Sequence, residues 1–165
     1  MPVKSLSDLF IHELSDTYSA EKQMTRSLPK LARAATDEGL ASAFETHLEE
    51  TRGQVERIEQ IAELLQIKIK RIKCEGMAGL VEEGDSLIDQ IEKGPVLDAA
   101  LIGAARKVEH YEIAGYNSLC TLAKKLGHTE AVSLLEASLA EETATDGKLS
   151  ALAEAQAMEE AIAEE

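Results

Sequence analysis

An internal repeat is the feature that most limits what this chain can fold into. When the sequence is shifted by 91 residues against itself, similar residues align without a gap. The aligned pairs include Ile11 and Ile102, Glu21 and Glu112, Leu28 and Leu119, Glu45 and Glu136, Leu48 and Leu139, Glu50 and Glu141, and Ala62 and Ala153. Helical sequences also produce chance matches of Leu, Ala and Glu, so the repeat is an interpretation. It predicts two related halves joined by a long connection.

Apolar residues recur in each half with the period of an α-helix, which predicts two long helices per half. The first helix is expected from Ser5, where a capping box starts, to about Ala35, with a kink or tightened turn at Pro29. The second is expected over about 37–66. The third begins near Pro95 and ends before Gly127, and the fourth runs from about 129 into the acidic C-terminal segment.

These elements predict an all-α protein of one domain over residues 1–165. It would consist of a hairpin at 5–66, a crossover at 67–94 that carries a short fifth helix, and a second hairpin at 95–163. Aromatic residues make up only 3% of the chain and there are only three prolines, which suits packed helices better than a sheet. A four-helix bundle with one long crossover has the topology of ferritin-like proteins.

The net charge of the chain argues against two classes of partner. A formal net charge of −14 repels phosphate backbones and anionic membrane surfaces, so neither nucleic acid nor membrane is expected as a partner. No signal peptide or membrane-spanning run is visible, and the two cysteines, Cys74 and Cys120, lie far apart in the chain. A cytoplasmic location with reduced thiols is therefore expected.

Carboxylates on the apolar faces of the helices are the candidates for chemistry. Glu21 lies in line with Leu14 and Leu28, and its repeat partner Glu112 has the same position on the third helix, with Glu109 one turn before it. The other two helices contribute acidic residues and one histidine near mid-length. The full set of candidate metal ligands is Glu21, His47, Glu50, Glu109, Glu112, Glu142 and Asp146.

Burying an unpaired carboxylate is costly, so these residues need a cation, a base or a proton. Carboxylates with one imidazole suit iron or manganese, and two such ions would neutralise several charges at once. Each glutamate taken alone could instead pair with a Lys or Arg side chain or extend to the surface. His110 points away from the Glu112 face and is expected at the surface, whereas Tyr18 and Tyr116 could support the carboxylates or only pack in the core.

Four segments carry a resemblance to a known family. The stretch at 16–23 and the sequences HLEETRGQVERI, KVEHYEIAGY and EETATDGKL resemble the YciF stress-protein family of bacteria over nearly the whole chain. That family is similar to rubrerythrins and other ferritin-like proteins. The resemblance implies a helical bundle with a di-metal site, a homodimer and a role in stress responses.

Only some residues of this chain match the metal-ligand pattern of ferritin-like proteins. Glu21 resembles the lone glutamate of the first bundle helix, and Glu109 and Glu112 resemble the paired glutamates of the third helix in rubrerythrins. Ferritin-like di-iron proteins usually carry Glu-x-x-His on the other two helices. This chain has His47 three residues before Glu50, in the reverse order, and its fourth helix has acidic residues without histidine.

Two classes of function follow. The first is a di-metal oxidoreductase or metal-handling protein that acts on peroxide or oxygen. The second is a non-catalytic dimeric stress protein whose inner polar groups pair with one another or hold a structural ion. The chain has no CxxC pair for a rubredoxin-like iron, so the internal electron relay of a rubrerythrin is missing.

Overall fold

The computed structural model describes residues 3–155 and 162–163, and in these residues all the regular structure is helical. There are five helices in chain order: α1 (Leu6–Ala34), α2 (Glu38–Leu64), α3 (Glu75–Gln90), α4 (Pro95–Leu126) and α5 (Thr129–Ala155). The prediction of an all-α chain is confirmed. The part of the predicted second hairpin at 156–161 lies outside the described residues.

The four long helices form a bundle in which each helix packs against two neighbours. α1 packs against α2, α4 against α5, α2 against α5 and α1 against α4, while α3 lies against α1 and α4. Short turns close the two hairpins, and the connection from α2 to α4 carries α3. This is the predicted bundle with one long crossover.

Local sequence signals explain where the helices begin and end. Ser5 caps α1 and forms the expected capping box with Asp8, and Pro95 stands in the first turn of α4. α4 ends at Gly127, whose φ of 75° is the left-handed conformation that glycine adopts most readily. Pro29 lies inside α1, which continues on both sides of it as a single helix.

The core consists of two apolar clusters that lie at different levels of the bundle. One includes Leu40 and Leu101, and the other includes Phe10 and Leu135. Along each long helix, most of the buried polar residues come between the segments that contribute to the two clusters, with Ser27 and Asp98 as exceptions. The bundle therefore encloses a polar layer at mid-height, with apolar packing above and below it.

The crossover is attached to the bundle through hydroxyl groups of α1. Ser15 accepts a hydrogen bond from the backbone N–H of Lys70 at 3.0 Å, and Ser19 accepts one from that of Cys74 at 2.9 Å. Ile67 and Ile69 of this extended segment pack on the apolar cluster around Phe10. None of the described helices is both long and apolar enough to cross a membrane.

Asp98, in the first turn of α4, ties the second hairpin to the first. Its carboxylate is buried and accepts the backbone N–H groups of Thr36 at 2.7 Å and Asp37 at 2.8 Å. We expect Asp98→Ala to lower the free energy of unfolding by about 3 kcal/mol, because two donors lose a charged acceptor. Urea denaturation measures this, with Asp89→Ala as the control at an exposed aspartate. Equal midpoints for the two variants would contradict the prediction.

Candidate metal centre

Three helices bring one histidine and three glutamates together in the polar layer. His47 from α2, Glu109 and Glu112 from α4, and Glu142 from α5 each offer a ligand atom, and these atoms all lie within 4.8 Å of one another. All four residues are at most 3% exposed. Four of the seven candidates from the sequence thus meet in one compact group.

The imidazole of His47 lies at the centre of the group. Its Nε2 atom is 3.2 Å from Glu109 Oε1 and 3.5 Å from Glu142 Oε2, but neither contact is aligned as a hydrogen bond. On the other side of the ring, Nδ1 is 3.3 Å from Glu50 Oε2 and 3.3 Å from Thr145 Oγ1. The ring is therefore fixed at Nδ1, while Nε2 faces the carboxylates.

Many oxygen atoms of this group have no hydrogen-bond partner. They include Glu109 Oε2 and both carboxylate oxygens of Glu112 and of Glu142, all buried. In other protein interiors, most buried polar atoms have a partner, so a cluster of unpartnered oxygens requires an explanation. A bound cation would supply a shared partner to one atom of each of the four residues.

Burial and mutual repulsion shift the acid–base equilibria of the group. Burial raises the pKa of Glu112 well above its ordinary value, and the charges of Glu21 and Glu142 raise it further. The pKa of Glu142 is raised by burial and by Glu109. Burial lowers the pKa of His47, but Glu109 and Glu50 outweigh that effect and hold it well above 6.5. Protons can thus neutralise the group in the absence of a metal.

Glu50 lies at the edge of the group and not within it. Its side chain is 26% exposed, and its Oε2 atom contacts His47 Nδ1 and accepts a hydrogen bond from Thr145 Oγ1 at 3.2 Å. The contact with His47 lowers the pKa of the Glu50 carboxyl. Glu50 is therefore placed to orient the histidine from behind.

Glu21 is buried beside the group but has a partner of its own. The hydroxyl of Tyr116 donates a hydrogen bond to Glu21 Oε1, and Oε2 is unpartnered. Burial raises the pKa of Glu21 to about 8, although the bond from Tyr116 opposes this. Tyr116 thus supports a carboxylate as the sequence suggested, whereas Tyr18 donates to Glu59 at 2.8 Å, away from the centre.

Asp146, the seventh candidate, lies outside the group. Its carboxylate is 2.9 Å from Arg106 Nε and 3.2 Å from His110 Nε2. His110 is 64% exposed, which confirms that it belongs to the surface. The guanidinium of Arg106 already neutralises Asp146, so a metal would stabilise this aspartate less than it would stabilise the buried glutamates.

Arg57 is the residue of the polar layer that sequence reasoning missed. Its guanidinium donates to both carboxylate oxygens of Glu141, at 2.7 Å and 2.6 Å, and to Ser138 Oγ at 3.2 Å. The available signal was weak: Arg57 follows the buried Gln54 by one helical turn. Thr145 was also missed, since a threonine on a helix is not by itself a signal for a site.

The donor set fits iron or manganese. Both metals accept carboxylate and imidazole ligands, and the group offers three carboxylates and one imidazole. A structural zinc site would use cysteine, but Cys74 and Cys120 are not part of the group. A divalent cation would also offset the cost of burying the three carboxylates.

Both the sequence and the fold are similar to those of known proteins. The sequence matches the family described as "Domain of unknown function (DUF892)" over residues 5–162. It is 58% identical to Protein YciF of Escherichia coli over 154 residues, 93% of each chain. The crystal structure of that stress protein superposes with a TM-score of 0.89 over 92% of this chain and 96% of the other.

Two further solved structures are similar. YcfI from Rhodopseudomonas palustris is 40% identical, with a TM-score of 0.87 over 90% of this chain and 94% of the other. A protein from Xanthomonas campestris is 23% identical, with a TM-score of 0.73 over 92% of each chain. At that identity the second similarity concerns the fold alone.

Proposed function

The chain belongs to the family of YciF stress proteins, DUF892, and from this premise we propose that it is a stress protein that binds iron or manganese in its helical bundle. The ligands are His47, Glu109, Glu112 and Glu142. The observation that carries the proposal is the set of buried, unpartnered carboxylate oxygens around one imidazole. A cation satisfies one atom of each ligand at once.

The residues around the ligands prepare the histidine for a metal. When Nδ1 of His47 carries the proton and donates a hydrogen bond to Glu50, the lone pair of Nε2 is directed toward the three glutamates. Thr145 donates to the same carboxylate and holds it in place. A proton on Nε2 leaves when the metal binds, so metal affinity rises with pH.

The surroundings suit a centre that handles peroxide or oxygen. Iron or manganese, when bound, supplies an ion that can exchange electrons with such oxidants. The protein contributes a ligand group that lies between two apolar clusters, which restricts the access of water. Glu50, partly exposed and in contact with His47, provides a path for protons between solvent and the buried imidazole.

Metal analysis tests the proposal. We expect protein purified without chelator, or loaded with Fe²⁺ or Mn²⁺ and desalted, to retain metal, and the His47→Gln variant to lose it. The matched control is His110→Gln, at an exposed histidine, which is expected to retain metal as the wild type does. Wild-type protein that retains neither metal after loading would refute the proposal.

A second candidate function is supported by the raised pKa values. If protons neutralise Glu21, Glu112 and Glu142, the polar layer can exist without any metal, and the protein would be a non-catalytic stress protein. The same metal analysis separates the two candidates. The homodimer implied by the resemblance and the cytoplasmic location expected from the sequence stay predictions.

A further inference from the structure

Two hydrogen bonds in the polar layer join residues at equivalent positions of the repeat. Gln54 donates to Glu141 at 3.0 Å, and Thr145 donates to Glu50 at 3.2 Å. Residues 54 and 145, and residues 50 and 141, are partners in the repeat, so the two hydrogen bonds are equivalent. Apolar residues follow the same register, since Phe44 and its counterpart Leu135 are both buried. The 91-residue register therefore assigns each residue of the layer a counterpart in the other hairpin.

The four proposed ligands have counterparts that are chemically different. In an internally symmetric centre, one set of ligands would hold one ion and its counterpart set would hold a second. The pairs are His47 and Ser138, Glu109 and Tyr18, Glu112 and Glu21, and Glu142 and Thr51. Only Glu21 retains a carboxylate, and no imidazole remains in the second set.

The counterpart residues are also engaged elsewhere. Tyr18 donates to Glu59 at 2.8 Å, and Thr51 donates to the backbone carbonyl of His47 at 2.8 Å. Glu21 accepts the hydroxyl of Tyr116. These contacts engage the hydroxyl groups of Tyr18 and Thr51 and one carboxylate oxygen of Glu21, which leaves Glu21 Oε2 as the unpartnered oxygen of this set.

A fixed positive charge lies beside the second set of residues. The guanidinium of Arg57 contacts Ser138, the counterpart of His47, and is held by both oxygens of Glu141, the counterpart of Glu50. The hydrogen bonds to Glu141 chiefly raise the pKa of Arg57, and the charge of Glu21 adds to this effect. The permanent charge of an arginine satisfies nearby carboxylates and repels a divalent cation.

We propose that each chain holds one metal ion, at His47, Glu109, Glu112 and Glu142, and that Arg57 replaces the second ion of a symmetric centre. This inference rests on the proposed function, because it concerns the same group of ligands. It replaces the two ions expected from the sequence with one ion and one guanidinium. The two halves of the polar layer then differ in their ligands, and Arg57 is hydrogen-bonded to Glu141 whereas its repeat counterpart, Lys148, acts on Glu50 through its charge.

Counting the ions tests this inference separately from the proposed function. Protein loaded with Mn²⁺ and desalted is analysed by mass spectrometry of the metal, by calorimetric titration with Mn²⁺ and by electron paramagnetic resonance. One ion per chain, with the six-line spectrum of an isolated Mn²⁺, supports the inference. Two ions per chain with an exchange-coupled spectrum would overturn it and leave the proposed function intact, whereas no bound ion would overturn both.

A matched pair of variants uses the repeat as its own control. Glu21→Gln and Glu112→Gln change equivalent positions by the same amount. We expect Glu21→Gln to retain one Mn²⁺ per chain and Glu112→Gln to retain none. In a symmetric two-ion centre the two variants would lose metal equally, and that outcome would contradict the inference.

A third variant addresses Arg57 directly. Arg57→Gln removes the guanidinium but restores no ligand, so Mn²⁺ binding is expected to stay at one ion per chain. Combining it with Tyr18→Glu, Thr51→Glu and Ser138→His rebuilds the second set and is expected to raise the count to two. If Arg57→Gln alone bound two ions, the number of Mn²⁺ ions per chain would be limited by the guanidinium and not by the missing ligands. The wild-type count decides the question even if the combined variant does not fold.

Discussion

The Glu112→Gln variant is expected to be more stable than the wild type in the absence of metal, and at the same time unable to gain stability from metal. At pH 8 the folded wild type must either bury an ionised Glu112, which burial disfavours, or hold a proton that the unfolded chain has already released, which costs free energy at this pH. Glutamine is uncharged, has almost the same shape, and can donate to the neighbouring carboxylates. We expect a gain on the order of 2 kcal/mol, or about 4–8 °C in Tm.

The same substitution removes a ligand. We expect Mn²⁺ affinity to fall by more than the roughly 10- to 100-fold that follows the loss of a supporting hydrogen bond at a metal site. Differential scanning calorimetry with chelator and with excess Mn²⁺ measures both effects. Glu45→Gln, at an exposed glutamate of α2, is the control and should leave both thermograms unchanged. A Glu112→Gln protein that is less stable without metal, yet still stabilised by Mn²⁺, would contradict the assignment of Glu112 as a ligand.

The stability of the metal-free protein is expected to fall as the pH rises from about 5 to 8. Glu21 has a pKa of about 8 in the folded state and 4.5 as its ordinary value, so between these values the folded chain holds a proton that the unfolded chain has released. Stability therefore decreases with rising pH over this window. The raised pKa values of His47, Glu112 and Glu142 act in the same direction.

Bound metal is expected to oppose this fall. A cation takes the place of the protons, so the increase in Tm on adding Mn²⁺ should be small at pH 5.5 and large at pH 8. The lowered pKa values of Glu50 and Asp146 act below about pH 4.5 and do not affect this range. Thermal unfolding followed by circular dichroism at four pH values, with chelator and with Mn²⁺, measures the effect. A metal-free Tm that rises between pH 5.5 and 8 would show that the buried glutamates are ionised and paired without metal.

The helices could be predicted because their signals are local. The capping box at Ser5, Pro95 in the first turn of α4 and Gly127 at its end each depend on residues within one turn. The apolar period then gives the buried face of each helix, and the repeat gives the pairing into two hairpins. Helix geometry was also sufficient to place Glu21, Glu109, Glu112 and Glu142 in the interior.

The set of residues that forms the metal centre could not be predicted in the same way. Asp146 differs from Glu142 by about 40° around α5, and Glu50 differs from His47 by about 60° around α2. Such a rotation decides between a ligand and a partner for a neighbouring group. Asp146 is drawn to Arg106, which lies forty residues away on another helix. Only the packing of α4 against α5 brings these two charges together.

The sequence by itself determined that this protein is a bundle of two related helical hairpins with carboxylates directed inward, because periodicity and capping are properties of neighbouring residues. The tertiary structure decided which carboxylates share one space and which are neutralised by an arginine. The reason is that electrostatic partnership depends on distances of 3–4 Å between helices, and a period along one helix does not contain those distances. Arg57, whose contacts with Ser138 and Glu141 span more than eighty residues, shows the difference most directly.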